Sequence, residues 1–122
     1  ELVTCHGDLY PTNVLQDGRL LDLEKISKAS PWLDLETLLG APQMQGINTE
    51  MALKAYTEKR PLTQEGRLFY RVHTSFCQTG SFLEKKDFQT AKYFQERAMI
   101  TLAECKENTL REKFKAYTQE KL

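Results

Sequence analysis

The chain has 122 residues, of which 40% are hydrophobic and 28% are charged, a composition typical of one globular domain with a modest core. Lysine plus arginine and aspartate plus glutamate number 17 each, so the formal net charge is zero. This balance argues against a nucleic-acid binder, which usually carries a basic excess. No apolar run approaches the ~18 residues that a membrane span needs, and no signal-peptide pattern opens the chain.

Three cysteines lie far apart in the sequence, at Cys5, Cys77 and Cys105. Their number is odd and their spacing matches no metal-binding motif, so we interpret them as reduced, mostly buried thiols of an intracellular protein. We therefore expect a cytoplasmic protein with neither nucleic acid nor a membrane among its partners.

The first predicted elements are a strand and a hairpin. Residues 2–5, "LVTC", are apolar and β-branched and favour a strand. The segments "NVLQ" and "RLLD" flank Asp17-Gly18, which indicates a hairpin because both turn residues tolerate positive φ. A two-residue turn at this point would place Asn13 directly opposite Asp22.

After residue 25 the pattern becomes helical. Helices are predicted over 31–39, over 49–59, from a cap at Thr63 to about Gly80, from about Asp87 onward, and from a capping box that joins Thr109 to Glu112. The apolar stripes of these helices, including the one from Phe88 to Cys105, are typical of core packing. The sequence thus predicts a mainly α fold with a small β-hairpin.

Three acceptor side chains, Asp8, Asn13 and Asp22, lie within the segment that contains the hairpin. Residues opposed across a hairpin have Cβ atoms about 4.5–5.5 Å apart, so Asn13 and Asp22 could share one Mg²⁺, which favours oxygen ligands. Asp8 precedes Asn13 by five residues and could lie beside the same metal as a general base. Phosphoryl transfer needs these parts, and Asp-x₄-Asn is the spacing of the kinase catalytic loop.

The stretch "CHGDLYPTNVL" followed by "LLDLEK" resembles the aminoglycoside phosphotransferase and choline kinase-like family, whose members share the protein-kinase fold. The usual form in that family is close to His-Gly-Asp-Leu-His-Pro-Gly-Asn, then Ile-Asp-Trp-Glu or Ile-Asp-Phe-Glu. The segment "PWLDLETLL" is similar to the part that follows, so the resemblance covers residues 4–39. Tyr10, Thr12 and Leu23 depart from the family form, and the hairpin segment is shorter than usual.

The resemblance implies the chemical roles of three residues. Asp8 would be the catalytic base, and Asn13 and Asp22 would bind Mg²⁺. ATP would be the phosphate donor, and the acceptor would be the hydroxyl of a small molecule.

Three further residues have implied supporting or open roles. His6 would brace the loop, and Asp34 would accept hydrogen bonds from the loop backbone. Glu24 could face substrate or metal, or be an ordinary surface residue. Acidic residues of the helices could likewise attract a cationic acceptor or be helix surface; these are Glu36, Glu50 and Glu58.

The resemblance also implies that residues 1–122 form the C-terminal lobe of a kinase-like enzyme. The catalytic loop and metal-binding hairpin would occupy 1–25, and a helical subdomain would occupy 30–122. A Gly-rich phosphate loop and a strand lysine, which precede the catalytic loop in this family, cannot be found in the chain. We therefore expect a fragment that is inactive alone, lacks its N-terminal nucleotide lobe, and self-associates through the apolar surface around residues 2–5 and the hairpin.

The expected function of the parent protein is transfer of the ATP γ-phosphate to a hydroxyl of a small substrate. This substrate could be cationic, as aminoglycosides and choline are. No residue selects among the substrates of the family. One alternative is a helical binding or scaffolding module with a degenerate kinase-like site. Another is a plain α-helical domain whose Asp and Asn residues only make turns.

Overall fold

The computed structural model describes residues 2–104 and residue 112. This part of the chain is mainly helical with one two-stranded antiparallel sheet, which confirms the predicted mainly α composition with a small β element. Its strands and α-helices are, in chain order, β1 (Val3–Cys5), β2 (Ser27–Ala29), α1 (Pro31–Leu39), α2 (Thr49–Lys59), α3 (Gln64–Glu84) and α4 (Phe88–Glu104). The predicted last helix, apart from Glu112, lies outside the described residues.

The chain divides into two units, Glu1–Tyr70 and Arg71–Leu122. In the first unit, β1 pairs antiparallel with β2, so that Val3 lies opposite Ala29 and Cys5 opposite Ser27. The predicted strand at residues 2–5 is confirmed as β1. Strand β2 was not predicted, because "SKA" contains no apolar or β-branched run and depends on its pairing with β1.

The hairpin between the two strands has a longer turn than predicted. The N–H of Leu15 donates to the carbonyl of Arg19 at 2.9 Å, and the N–H of Gly18 donates to the carbonyl of Leu15 at 2.9 Å. The loop therefore contains three residues, 16–18, and the predicted two-residue turn is wrong. Gly18 has φ +86, as in a type I turn closed by a left-handed residue.

The side chain of Asp17 explains why this turn forms. A two-residue type I′ turn needs positive φ at both Asp17 and Gly18, and of the two only Gly18 adopts it. The Asp17 carboxylate instead accepts the backbone N–H of Arg19 at 3.1 Å and its Nε at 2.7 Å. These bonds tie Asp17 to Arg19 within the three-residue turn. The pairing of the two arms is therefore shifted by one residue relative to a two-residue turn.

The shifted register changes which residues face each other. Val14 bridges to Leu20, and the N–H of Leu21 donates to the carbonyl of Asn13 at 2.8 Å. Asn13 therefore opposes Leu21, and the predicted opposition of Asn13 and Asp22 is wrong.

Helix α1 follows the local signals in the sequence. The hydroxyl of Ser30 accepts the N–H of Trp32 at 3.3 Å, Pro31 occupies the first turn, and Gly40 follows the last helical residue. The predicted bounds are confirmed. Helix α1 contacts β1, and its buried face includes Trp32 and Glu36.

Helix α2 lies in the first unit, and helix α3 begins there. Asn48 caps α2 by accepting the N–H of Met51 at 3.2 Å, and the predicted range 49–59 is confirmed. Helix α3 continues to Glu84, beyond the predicted end near Gly80, because an interior glycine costs only about 1 kcal/mol against alanine and packing can offset it. The chain leaves α3 at Lys86, which has φ +60.

The second unit contains the rest of α3 and α4. Asp87 caps α4 by accepting the N–H of Thr90 at 3.1 Å. The predicted start of this helix near Asp87 is confirmed. The rings of Phe82 and Phe94 stack with centroids 5.8 Å apart. Four residues of α4 are buried, namely Ala91, Phe94, Ala98 and Thr101. Phe88 was predicted to belong to this stripe, but it is 65% exposed because it is the first residue of the helix.

Candidate functional site

His6 connects the loop around Asp8 to the return arm of the hairpin. Its Nδ1 accepts the backbone N–H of Asp8 at 3.1 Å, and its Nε2 lies 2.7 Å from the carbonyl oxygen of Leu21. Because Nδ1 accepts a hydrogen bond, the ring proton lies on Nε2, which donates to Leu21. The imidazole is buried, so both bonds are shielded from water. His6 therefore fixes the distance between two segments that carry candidate site residues.

Asp34, in the first turn of α1, holds the same loop from the other side. Its Oδ2 accepts the backbone N–H of His6 at 2.8 Å, and its Oδ1 accepts the backbone N–H of Gly7 at 3.1 Å. Hydrogen bonds to a charged acceptor are stronger than neutral ones. These are the bonds from the loop backbone that the family resemblance implies for Asp34.

Gly7 is required by its backbone geometry and by its surroundings. Its φ is +91, a region that side chains with a Cβ rarely adopt. A Cβ at this position would overlap the backbone carbonyl oxygen of Lys25. The loop therefore passes so close to the segment before β2 that only glycine fits.

The segment from Asp8 to Asn13 forms a tight turn. The side-chain amide of Asn13 donates through Nδ2 to the backbone carbonyl of Asp8 at 2.9 Å, and the N–H of Tyr10 donates to the same carbonyl at 2.8 Å. Tyr10, within this segment, is buried. The structure thus brings Asp8 and Asn13 together. The side-chain nitrogen of Asn13 makes this hydrogen bond, and the side-chain oxygen is the atom that could bind a metal.

Asp22 lies outside the paired part of the hairpin. It is exposed, has φ 58 in the left-handed region, and precedes the 3₁₀ turn Leu23–Lys25. The hairpin register alone therefore does not make a metal site from Asn13 and Asp22. The preceding residue, Leu21, is nevertheless tied to His6 through its carbonyl and to Asn13 through its N–H.

Glu24 lies within the 3₁₀ turn that follows Asp22 and is exposed. Within residues 2–104 and residue 112, no three His, Cys, Asp or Glu side chains form a group that could hold a metal ion. An amide oxygen from Asn13 and a carboxylate from Asp22 have the chemistry that Mg²⁺ prefers, but they supply only two ligands. Mg²⁺ commonly completes such a set with water and substrate phosphates.

Cys5 lies next to the loop but has a structural environment. It is 1% exposed, and its Sγ donates to the carbonyl of Ser30 at 3.4 Å. Burial raises the pKa of the Cys5 thiol, and the negative charge of Asp34 raises it further. The thiol is therefore a weaker nucleophile than an ordinary cysteine at neutral pH.

A buried ion pair was missed by the sequence analysis. Glu36, one of the acidic residues considered as helix surface, is 3% exposed and binds Nε of Arg67 through Oε1 at 3.0 Å. Arg67 also binds the exposed Glu50 at 2.7 Å and lies over the ring of Trp32, 5.7 Å from its centroid. The available signal was that Glu36 follows Trp32 by four residues and so shares its buried face. The partner, 31 residues away, has no local signal.

Large apolar side chains are exposed around the hairpin and the start of the sheet. They are Leu2, Val14, Leu20, Leu21, Leu23 and Ile26, with exposed fractions from 36% to 67%. The exposure expected from the sequence is present at Leu2 and along the hairpin, whereas Cys5, at the end of the same segment, is 1% exposed. The exposed residues provide a candidate contact surface next to the loop.

The comparisons with known proteins give no match. No protein-family model matches the chain, and neither the curated proteins nor the solved structures include a significant match. In the part of the chain that the structure describes, no helix has both the length and the apolar character to cross a membrane. The family resemblance therefore rests on residues 4–39 alone.

Proposed function

We propose that the chain is the C-terminal catalytic lobe of an ATP-dependent phosphotransferase of the aminoglycoside phosphotransferase and choline kinase-like type. The observation that carries this proposal is the pair of hydrogen bonds made by His6, one to the N–H of Asp8 and one to the carbonyl before Asp22. A plain turn has no need for a buried imidazole that links these two segments. The double hydrogen bond from the loop backbone to Asp34 supports the same interpretation.

Asp8 is the general base in this proposal. Its carboxylate accepts the proton of the substrate hydroxyl as that oxygen attacks the terminal phosphate. The backbone of Asp8 is held on both sides, at its N–H by His6 and at its carbonyl by Asn13 and Tyr10. Such positioning is the main contribution that a protein makes to phosphoryl transfer.

Asn13 and Asp22 would hold Mg²⁺ through an amide oxygen and a carboxylate oxygen. The metal supplies positive charge that neutralises the phosphate groups of ATP. Asp22 has a left-handed backbone, a conformation that aspartate adopts more readily than most residues with a Cβ. This assignment follows the family resemblance and the hydrogen bonds of Leu21.

The substrate of the proposed enzyme is a small molecule with a hydroxyl group. The exposed carboxylate of Glu24 favours an acceptor that also carries positive charge. The N-terminal nucleotide lobe of a longer protein would bind ATP. The cytoplasm is the proposed location, supported by Cys5 and Cys77, which are thiols and not halves of a disulfide.

The test compares a longer protein that contains this sequence with the 122-residue chain. Both are incubated with labelled ATP, Mg²⁺ and a panel of hydroxylated small amines. We expect turnover by the longer protein and none by the isolated chain. Turnover by the isolated chain would contradict the two-lobe requirement, and no turnover by the longer protein would favour a binding module that uses the exposed apolar surface.

The role of Asp8 is tested in the same longer protein. Asp8→Asn should lower kcat by about 10²–10⁴-fold, the usual value of general-base catalysis, with little change in stability. Glu96→Gln is the matched control, because it makes the same carboxylate-to-amide change at an exposed residue of α4. Near-normal turnover by Asp8→Asn would remove Asp8 from the proposed role.

A further inference from the structure

The second unit contains a cysteine and a histidine that the phosphotransfer proposal does not use. His73 and Cys77 are four residues apart on α3, and Sγ of Cys77 lies 3.8 Å from Nε2 of His73. Cys77 is exposed, whereas His73 is partly buried. Residues at this helical spacing share a face, so the two side chains lie next to each other on α3.

The distance between these atoms matches the requirement of a tetrahedral metal ion. Zinc binds thiolate sulfur at ~2.3 Å and imidazole nitrogen at ~2.0–2.1 Å, so two ligands at the tetrahedral angle lie about 3.6 Å apart. The observed distance of 3.8 Å between Sγ and Nε2 is close to this value, so a small rotation of either side chain would bring both atoms to the metal. Histidines at the same i, i+4 spacing hold zinc on the helices of metalloproteases.

The ionisation of the imidazole also suits a metal ligand. Burial lowers the pKa of His73, which keeps the ring neutral at pH 7 with a lone pair on one nitrogen. On binding, the thiol of Cys77 loses its proton to solvent, and the resulting thiolate forms the bond to the metal. No electron transfer is involved, and the released proton balances the step.

We propose that His73 and Cys77 form a binding site for a thiophilic divalent cation of the Zn²⁺ type on the exposed face of α3. Imidazole and thiolate select such ions over Mg²⁺, which takes oxygen ligands. Among the described residues no third His, Cys, Asp or Glu completes a cluster, so the described part of the chain supplies two ligands. The site binds less tightly than a structural zinc site with four protein ligands.

The test uses Co²⁺ as a spectroscopic probe and Zn²⁺ as a competitor, with the full chain carrying Cys105→Ser. Cys5 is 1% exposed, so Cys77 is then the thiol open to metal. We expect an absorption band for charge transfer from thiolate to Co²⁺, and its loss when Zn²⁺ is added. Cys77→Ser should abolish the band, and His73→Gln should weaken Zn²⁺ binding at least about tenfold, since even indirect partners of a metal ligand are worth 10–100-fold.

A matched control moves the thiol along the same helix. The double variant Cys77→Ser, Gly80→Cys keeps one exposed thiol and His73, but it separates them by seven residues, about 10.5 Å along the helix axis. A Cβ at Gly80 meets no atom within 4 Å, so the change leaves the packing intact. Equal Zn²⁺ affinity in this variant, or in Cys77→Ser, would overturn the proposal. Substitution of the exposed Cys77 should leave the fold intact, so the comparison of the Cys77 variants remains valid even if His73→Gln fails to fold.

Discussion

The carboxylate of Asp34 and the backbone of His6 form a 2.8 Å hydrogen bond across 28 residues of sequence. The second oxygen of the same carboxylate accepts the next N–H along the chain, that of Gly7. Two consecutive N–H groups are therefore fixed by one side chain in the first turn of α1. This arrangement makes the position of the loop depend on the presence of two acceptor oxygens at residue 34.

Asp34→Asn should consequently destabilise the chain. The amide group offers one acceptor and one donor, so one of the two loop N–H groups would face another donor. We expect a loss of about 1–3 kcal/mol in the free energy of unfolding, the cost of leaving a buried polar group unsatisfied. Urea denaturation measures this loss, and Glu96→Gln is the control at an exposed residue of α4. Equal stability of the two variants would show that the loop is not held by Asp34.

Arg67→Met should lower the free energy of unfolding by about 3–5 kcal/mol, because it removes the guanidinium that binds the buried carboxylate of Glu36. Glu50→Gln removes the exposed partner of the same arginine and should cost no more than about 1 kcal/mol. Chemical denaturation of both variants gives the comparison.

The double variant Glu36→Met, Arg67→Met tests the origin of this cost. Replacing both members of a buried ion pair with apolar residues is often neutral, so we expect most of the lost stability to return. A double variant as unstable as Arg67→Met would mean that packing around Trp32, and not the buried charge, is responsible.

The stability of the chain should depend on pH through His73. Burial lowers the pKa of this residue below its ordinary value of 6.5. Below pH 6.5 the unfolded chain therefore binds a proton that the folded chain does not, so stability falls as pH falls, down to the folded-state pKa. Above pH 6.5 the contribution is constant. His73→Gln should flatten this part of the curve of unfolding free energy against pH, and an unchanged slope would contradict the prediction.

The exposed apolar residues around the hairpin should make the isolated chain self-associate. Leu23 and Ile26 are 52% and 51% exposed, and exposed apolar side chains favour contact between molecules. The variant Leu23→Lys, Ile26→Lys should lower the association measured by sedimentation velocity. The control is Met99→Lys, Ile100→Lys, which changes two exposed apolar residues of α4. Equal effects of the two double variants would mean that the hairpin surface has no special role.

The parts of the fold that were predicted from sequence are those with local causes. Ser30 and Gly40 define the ends of α1 because a cap and a terminating glycine act within one helical turn. Strand β2 has no such signal, since its three residues form a strand only through their bonds to β1. Helix α3 passes Gly80 because packing outweighs a small local preference.

The same distinction applies to the candidate site. The six residues named from the sequence lie on the loop, on the hairpin and on α1, but their mutual geometry depends on the turn. One residue more in the loop at 16–18 is enough to place Leu21, and not Asp22, opposite Asn13. The choice between the two turns depended on the bonds of one side chain, Asp17, with Arg19, which the dipeptide signal does not contain.

The contact between Gly7 and Lys25 has a genetic consequence. The obstructing atom is a backbone oxygen, which every amino acid carries, so no replacement at position 25 makes room for a side chain at position 7. A Gly7→Ala allele therefore has no second-site suppressor at its contact partner, even when that partner becomes glycine. A defect caused by Gly7→Ala should therefore persist whichever side chain is present at position 25.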